Sequence, residues 1–543
     1  MDNLMQPFSL RVTEILDHAA RYHPNRKIFS RNVEGPIVET TWSYVHKKAR
    51  QLSKALQKIG IKKGDRIGVM AWNTSRHLEL WYGIPGSGAI NHTLNPRLFA
   101  KQLTYIINHA EDKILMIDLD LIKILEEVLP DCKTVRQVII LTDKKNMPKS
   151  NLPNLICYED FVNTEDSDFE WVSGHETEAC GICYTSGTTG NPKGVVYTHR
   201  SNVLHALASA SPDMINLSSR DRIMPVVPLF HANGWSIGYT APLVGASMVM
   251  PGREMTPEGL YEMLEKGVTV TAAVPTIWLL LLNYLKANNL KLSSLERVII
   301  GGSSCPRAVI ESFQKDFGVQ VLHAWGMTEM SPLGTICSFK PEILELSEEE
   351  KISIQETTGH PPFTVELKLT DDSGNKLNND GKTQGKLWAR GGAVVEQYLK
   401  MDQKAVDKDG WFDTGDVATI DENGYMSITD RSKDIIKSGG EWISSIELEN
   451  AAVGHPSIVE AAAIGVSHPK WDERPILIVV CKEGKKVSPD EITDFMLDYV
   501  AKWQIPDDII FLDEIPHTAT GKISKMGLRQ ILINQKYQHP ELR

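Results

Sequence analysis

Tyr184-Thr-Ser-Gly-Thr-Thr-Gly-Asn-Pro-Lys-Gly-Val195 is the stretch on which the rest of the chain turns. A short apolar segment, Gly181-Ile-Cys-Tyr184, precedes it with the length and bounding of a buried strand. Val195-Val-Tyr197 and the polar Thr198-His199-Arg200 follow. Between them stand three glycines, four hydroxyl side chains, one proline and one lysine. Such a loop suits phosphate. Glycines let backbone N–H groups turn toward an anion, hydroxyls donate further hydrogen bonds, and lysine supplies a point charge. Walker A spacing fails, because Pro192 precedes Lys193 and Gly194 follows it. A flexible glycine-serine linker fits poorly too, since linkers are not flanked by apolar strand segments.

With 543 residues, 42 % hydrophobic and 23 % charged, the composition is that of a globular protein too long for one core. A net charge of −11 without a basic stripe disfavours a nucleic-acid partner. Anionic ligands would then have to meet local lysines and arginines in a cleft. Seven scattered cysteines point to a reducing compartment, and Cys180-Gly-Ile-Cys183 reads as two core thiols. The N-terminus shows no secretory signal, and the apolar run Trp278–Leu282 is too short to span a bilayer. A cytoplasmic location is expected.

Outward from the loop, Thr41 to Gly60 reads as an amphipathic helix with Val45, Ala49, Leu52, Leu56 and Ile59 on one stripe and Gly60 at its end. Ile67, Val69 and Ala71 alternate as a strand, and Leu115–Ile117, Val268–Val274 and Val298–Ile300 are further strand candidates. Helices alternating with strands to about residue 330 predict α/β layers with largely parallel sheets. From about Val365, short segments divided by Asp/Asn/Gly turns predict an antiparallel β subdomain. After Asp430-Arg-Ser-Lys-Asp434 the pattern returns to mixed α/β, with Ser444-Ser-Ile-Glu447 as a capping box and a helix starting at Pro489. The polar, charged sequence at about residues 431–434 suits an exposed connector, so the expected division is an N-terminal domain, 1–431, and a small C-terminal α+β domain, 435–543, joined through 432–434.

The loop resembles the signature of the adenylate-forming superfamily, which includes acyl-CoA synthetases, luciferase-like enzymes and the adenylation domains of peptide synthetases. Four further stretches match that family's motifs in order: Gly301-Gly-Ser-Ser304, Trp325-Gly-Met-Thr-Glu329, Trp411-Phe-Asp-Thr-Gly-Asp416 with Arg431, and Pro516-His-Thr-Ala-Thr-Gly-Lys522. The resemblance thus covers nearly the whole chain. It implies that Thr185, Ser186, Gly187, Thr188, Thr189, Gly190 and Lys193 clamp the ATP phosphates. It places Gly301, Gly302 and Ser303 as a floor for adenine and acyl group, and Ala324, Trp325, Gly326, Met327 and Thr328 around adenine and α-phosphate. Glu329, with Thr185, would ligate Mg2+, a hard cation bridging carboxylate and phosphates. Asp416 and Arg431 would hold the ribose. Lys522 would bring the carboxylate to the α-phosphate and offset the charge that builds there.

The implied reaction has two steps: carboxylate and ATP give acyl-adenylate and pyrophosphate, then a thiol takes the acyl group and AMP leaves. Between them the small domain would rotate about Lys433, withdrawing Lys522 and bringing in Lys437, Ser438, Gly439, Gly440 and Glu441 around a pantetheine arm.

Pro228-Leu-Phe-His-Ala-Asn-Gly-Trp235 bears on the acid. Amino-acid-activating relatives usually carry an aspartate here; this chain has Phe230-His231-Ala232, as in fatty-acyl-CoA synthetases. There His231 would lie near the acyl carboxylate and Trp235 would gate the acyl tunnel. The same pattern occurs in bacterial 3-methylmercaptopropionate–CoA ligases, whose thioether acid is nearly isosteric with a short alkyl acid, and a hydrophobic pocket separates such pairs by only about 1–3 kcal/mol. The expectation is therefore an AMP-forming acyl-CoA ligase using ATP, Mg2+ and coenzyme A on an apolar short- to long-chain acid. Its alternatives are the 3-methylmercaptopropionate enzyme, an enzyme charging a carrier protein, and a non-ligase ATP-binding relative. No nucleic acid or membrane span is expected; oligomeric state is left open, a homodimer included.

Overall fold

The computed structural model describes residues 5–185, 191–439, 441–518, 523–535, 537 and 539–540. Ser186, Gly187, Thr188, Thr189, Gly190, Gly440 and Lys522 lie outside the described residues. The described chain forms four sheets. Near the N-terminus, the helix Trp42–Lys58 is capped by the Thr41 side chain and buries Val45, Ala49, Leu52 and Leu56 completely. Gly60 takes φ +82° just past its end, where an L side chain would be strained. Ile59 departs from the expected stripe. It is 40 % exposed, because the helix stops at Lys58 and the chain turns out at the cap.

The first sheet runs Leu155–Cys157, Gln137–Ile140, Asp112–Ile117, Arg66–Met70, Ile90–Thr93, Ala179–Tyr184, Gly194–Thr198, parallel except for its last pair. The second runs Leu333–Ile336, Gln320–Gly326, Arg297–Gly301, Val270–Ala273, Arg222–Pro225, Ser247–Met250, Lys27–Arg31, Ile37–Thr41, parallel inside and antiparallel at both edges. Helices Val12–Tyr22, Trp42–Lys58, Ser75–Gly86 and His199–Ala210 contribute to a shared core in which Trp42, Trp81 and Tyr82 are fully buried. Each such aromatic withdraws on the order of 150–250 Å² from water, several kcal/mol apiece by area. Cys180 and Cys183 are both buried in the strand Ala179–Tyr184, as core thiols.

Antiparallel strands Val365–Thr370, Gly385–Gly391, Phe412–Ile420 and Met426–Arg431 form the third sheet. In the fourth, Glu441–Ile443, Ile436–Ser438, Asp472–Cys481 and Ile458–His468 pair antiparallel, and Asp508–Phe511 joins Asp472–Cys481 in parallel. Residues 432–435 connect the two sheets. The capping box at Ser444 forms only by half: its hydroxyl accepts the Glu447 N–H at 3.1 Å, while the Glu447 carboxylate turns to Gln504. Among the described residues no helix is long and apolar enough to cross a membrane.

In layered sheets of this kind ligands sit in the crevice beyond the carboxyl ends of parallel strands. Thr93, Gly301 and Gly326 all end such strands, and Tyr184 ends the strand that enters the glycine loop.

Candidate active site

The strands on either side of the glycine loop, Ala179–Tyr184 and Gly194–Thr198, pair antiparallel. Tyr184 pairs with Gly194; past them the Thr185 N–H donates to the Lys193 carbonyl at 2.9 Å, and the Lys193 N–H to Thr185 Oγ1 at 3.1 Å. Tyr184 is held from behind, its hydroxyl 2.6 Å from His109 Nδ1. The Lys193 ammonium stands over the Tyr398 ring, 4.9 Å from its centroid. Tyr398 Oη donates to Glu329 Oε1 at 2.9 Å, so lysine, phenol and carboxylate form one line.

Glu329 is 8 % exposed and sits in the one-turn helix Thr328–Met330 that follows Gly326. The Tyr197 hydroxyl donates to the Thr328 carbonyl at 2.7 Å and the Val395 N–H to the Glu329 carbonyl at 2.7 Å, fixing that turn from two sides. Burial pushes the Glu329 carboxyl above its ordinary value, against the Tyr398 hydrogen bond and the Arg431 and Lys193 charges. A buried carboxylate whose side-chain donor among the described residues is the neutral Tyr398 phenol is a ligand that fits a hard divalent cation.

Beyond Gly326 the third sheet closes the crevice. Trp325 Nε1 donates to Asp416 Oδ2 at 2.9 Å, and Arg431 Nε lies 2.9 Å from Asp416 Oδ1. Asp416 and Arg431 are cross-strand neighbours in register, and Asp416 is 2 % exposed. Arg431 Nη1 also donates to the Thr414 carbonyl at 3.3 Å. Trp325 is 8 % exposed, its ring laid against Gly334, where an added Cβ would come within 2.4 Å of Cζ3.

The acyl side is built from a left-handed turn. Ala232, Asn233, Gly234, Trp235 and Ser236 have φ of 36°, 39°, 55°, 53° and 61°. Left-handed conformation costs an L residue about 1–2 kcal/mol, so packing must hold this segment. Asn233 supplies one tether, its Oδ1 accepting Thr93 Oγ1–H at 3.1 Å. The turn lays Trp235 on Gly301: a Cβ there would stand 3.2 Å from Trp235 Cη2 and 2.8 Å from the Ala324 carbonyl oxygen. Gly302 takes φ +84°, and Ser303 is exposed beside it. Thr93, Asn95, Tyr184, Thr185, Phe230 and His231 line a small cleft between this turn and the glycine loop.

Thr185, Lys193, Ala324–Glu329, Asp416 and Arg431 thus converge, with Gly301, Gly302, His231 and Trp235 on the adjoining wall. Lys433 is exposed on the connector. Lys437, Ser438, Gly439 and Glu441 belong to the paired strands Ile436–Ser438 and Glu441–Ile443 and the link between them: the Lys437 N–H bonds Glu473, the Gly439 N–H bonds the Trp471 carbonyl, and Arg474 reaches Ser438, while the Lys437 charge also helps hold the Asp372 carboxyl below its ordinary value. Tyr197, Tyr398 and Val395 were not anticipated. Each acts through a lone hydroxyl or backbone group far along the chain, which leaves no motif.

The chain matches the AMP-binding enzyme family over residues 16–399 and the AMP-binding enzyme C-terminal domain over 447–522. It is 46 % identical to a medium-chain-fatty-acid–CoA ligase of Ectopseudomonas oleovorans, with 96 % of each chain covered. It is 47 % identical to a 3-methylmercaptopropionyl-CoA ligase of Ruegeria lacuscaerulensis, covering 96 % of this chain and 97 % of that one. The structure of the anthranilate CoA ligase AuaEII with anthranoyl-AMP has a TM-score of 0.86 at 23 % identity, over 98 % of this chain and 99 % of that one, a likeness of fold. From its loop, its crevice and these matches, the chain belongs to the AMP-binding enzyme family of adenylate-forming enzymes.

Proposed function

We propose that this AMP-forming acyl-CoA ligase activates an apolar short- to long-chain carboxylic acid in two steps, adenylation with ATP and then transfer to coenzyme A. One observation carries the choice of acid. From Phe230 to Trp235 the wall has no acidic side chain for a substrate ammonium, and the amide oxygen of Asn233, its nearest polar group, is already engaged by Thr93. An amino acid would bury its charge there unpaired, at a cost of several kcal/mol. A thioether acid fits the same wall, and the 47 % identity to a 3-methylmercaptopropionyl-CoA ligase favours it as the second reading.

Thr185, Lys193 and the loop between them hold the β- and γ-phosphates. Trp325 fixes Asp416, which with Arg431 takes the ribose hydroxyls. Thr328 meets the α-phosphate, and His231 stands beside the incoming carboxylate. Glu329 and Thr185 would hold Mg2+, which neutralises phosphate charge when bound. Lys522 is assigned to orient the carboxylate and offset charge at the α-phosphorus during attack. The domains are taken as 1–431 and 435–543 about the hinge 432–434, with Lys437 to Glu441 serving the thioester step and the cytoplasm as location.

The test is pyrophosphate release with ATP, Mg2+ and a panel of straight-chain, thioether and amino acids, with and without CoA. Straight-chain or thioether acids should release pyrophosphate and, with CoA, yield thioester. Release with amino acids alone, or with no acid, would sink the reading. Lys522→Ala should suppress adenylation while thioester formation from supplied acyl-adenylate persists; equal loss of both refutes the two-orientation assignment.

A further inference from the structure

Asp430, the residue before Arg431, is 1 % exposed, and its carboxylate reaches across the connector. Oδ2 accepts both the backbone N–H and the hydroxyl of Ser445 at 2.6 Å. Ser445 opens the helix Ser445–Val453 of the C-terminal unit. Lys525 sends its ammonium into the same cluster, 2.8 Å from Glu449 Oε1 and bonded to the Ser445 hydroxyl. Glu449 Oε1 also accepts the Ala463 N–H at 2.9 Å, which fixes it from behind. One turn later on the same helix, Lys525–Asn534, Arg529 pairs with Asp434 at 2.9 Å.

These groups divide unevenly about the hinge. Ser445, Glu449, Lys525 and Arg529 move together with the C-terminal unit; Asp430 belongs to the third sheet and stays. Rotation about Lys433 would therefore strip Asp430 of both Ser445 donors and of the nearby Lys525 charge, leaving it the Arg431 N–H at 2.7 Å. Separating a buried charged group from its partners is strongly unfavourable, whereas exposed ion pairs cost little to open. Lys525 is also three residues past Lys522, so the contact fixes the base of the segment that carries that lysine.

Resting on the ligase reading, we propose that Asp430 and Lys525 are positioning residues, an interdomain latch that holds the C-terminal unit in this orientation and sets how the enzyme divides its time between the two half-reactions. Neither residue touches the substrate in this assignment. Their effect is on orientation.

The test uses the full chain, with hexanoate and ATP for adenylation and supplied hexanoyl-adenylate with CoA for thioesterification. Asp430→Asn and Lys525→Met should change the ratio of the two rates by about tenfold or more, the scale expected for losing a buried hydrogen bond to a charged group. Lys525→Arg, which keeps the charge, should stay within about twofold of wild type. If the two rates change by the same factor in Asp430→Asn and Lys525→Met, the latch is refuted. Tryptic cleavage after Arg431 or Lys433, well below the melting temperature, gives a readout independent of catalysis. It should be faster in Asp430→Asn than in wild type; equal cleavage overturns the proposal. Absence of pyrophosphate release from the wild type would count against the ligase reading and leave this second readout standing.

Discussion

The indole of Trp325 donates its N–H to Asp416 Oδ2 at 2.9 Å, joining the carboxyl end of a strand in the eight-stranded sheet to the antiparallel sheet beside it. Arg431 holds the other oxygen. Both oxygens of Asp416 are thereby held, which in the proposed ribose-binding role would lower the reorganisation cost of the binding step.

Replacing Trp325 by Phe keeps most of the ring and deletes the donor. A hydrogen bond to a charged group is worth about 1.5–3 kcal/mol, so the KM for ATP should rise by about tenfold or more. The KM for the acid should change little. Titrating each substrate in the pyrophosphate assay separates the two.

Tyr398→Phe removes the phenol hydroxyl bonded to Glu329 while leaving a ring under Lys193. The Glu329 carboxyl already lies above its ordinary value because it is buried. Losing a donor to its charged form raises it further. Activity that needs ionised Glu329 is lost as pH falls through this raised value, so the acid limb of the pH–rate profile should move to higher pH in the variant. Higher Mg2+ should draw it back, because metal competes with the proton.

Gly301→Ala would place a methyl 2.8 Å from the Ala324 carbonyl oxygen and 3.2 Å from Trp235. The backbone oxygen cannot yield cheaply, so residue 301 must shift away from it, and the Trp235 ring resting on that position is displaced with it. The profile of kcat/KM against acyl chain length should change, with the KM for ATP altered less. Overpacking of this kind costs about 1–3 kcal/mol, visible as a lower denaturation midpoint.

Glu79 and Asp118 are buried acids of the N-terminal domain, pushed by desolvation from 4.5 to about 7 and from 3.8 to about 8. Glu79 accepts the Tyr158 hydroxyl at 2.7 Å and Asp118 the Trp72 N–H at 2.7 Å. The folded state binds these protons more tightly than the unfolded one. Their contribution is full below pH of about 4 and is lost as pH climbs through about 7 and 8. Glu79→Gln and Asp118→Asn should therefore narrow the fall in melting temperature between pH 6 and pH 8 by about 2 °C or more, as read by circular dichroism.

The local signals in the sequence held. Apolar residues at helical spacing with a threonine before and a glycine after produce the helix Trp42–Lys58, and apolar runs produce the strands Arg66–Met70 and Asp112–Ile117, which are buried on both faces rather than alternately, because such patterns depend on nearby order. The ordered motifs are enough to name the family. Tertiary structure alone decided the rest. Glu329 meets Tyr398, 69 positions away, and Tyr197 meets Thr328 across 131, through single hydrogen bonds that impose no period on the chain. In the left-handed run from Ala232 to Ser236, Asn233-Gly234 favours positive φ, but Ala232, Trp235 and Ser236 do not; packing on Gly301 and the Thr93 bond select the full run against its intrinsic cost. Sequence determined which groups are present at the crevice, and long-range contacts decided which of them are already aimed.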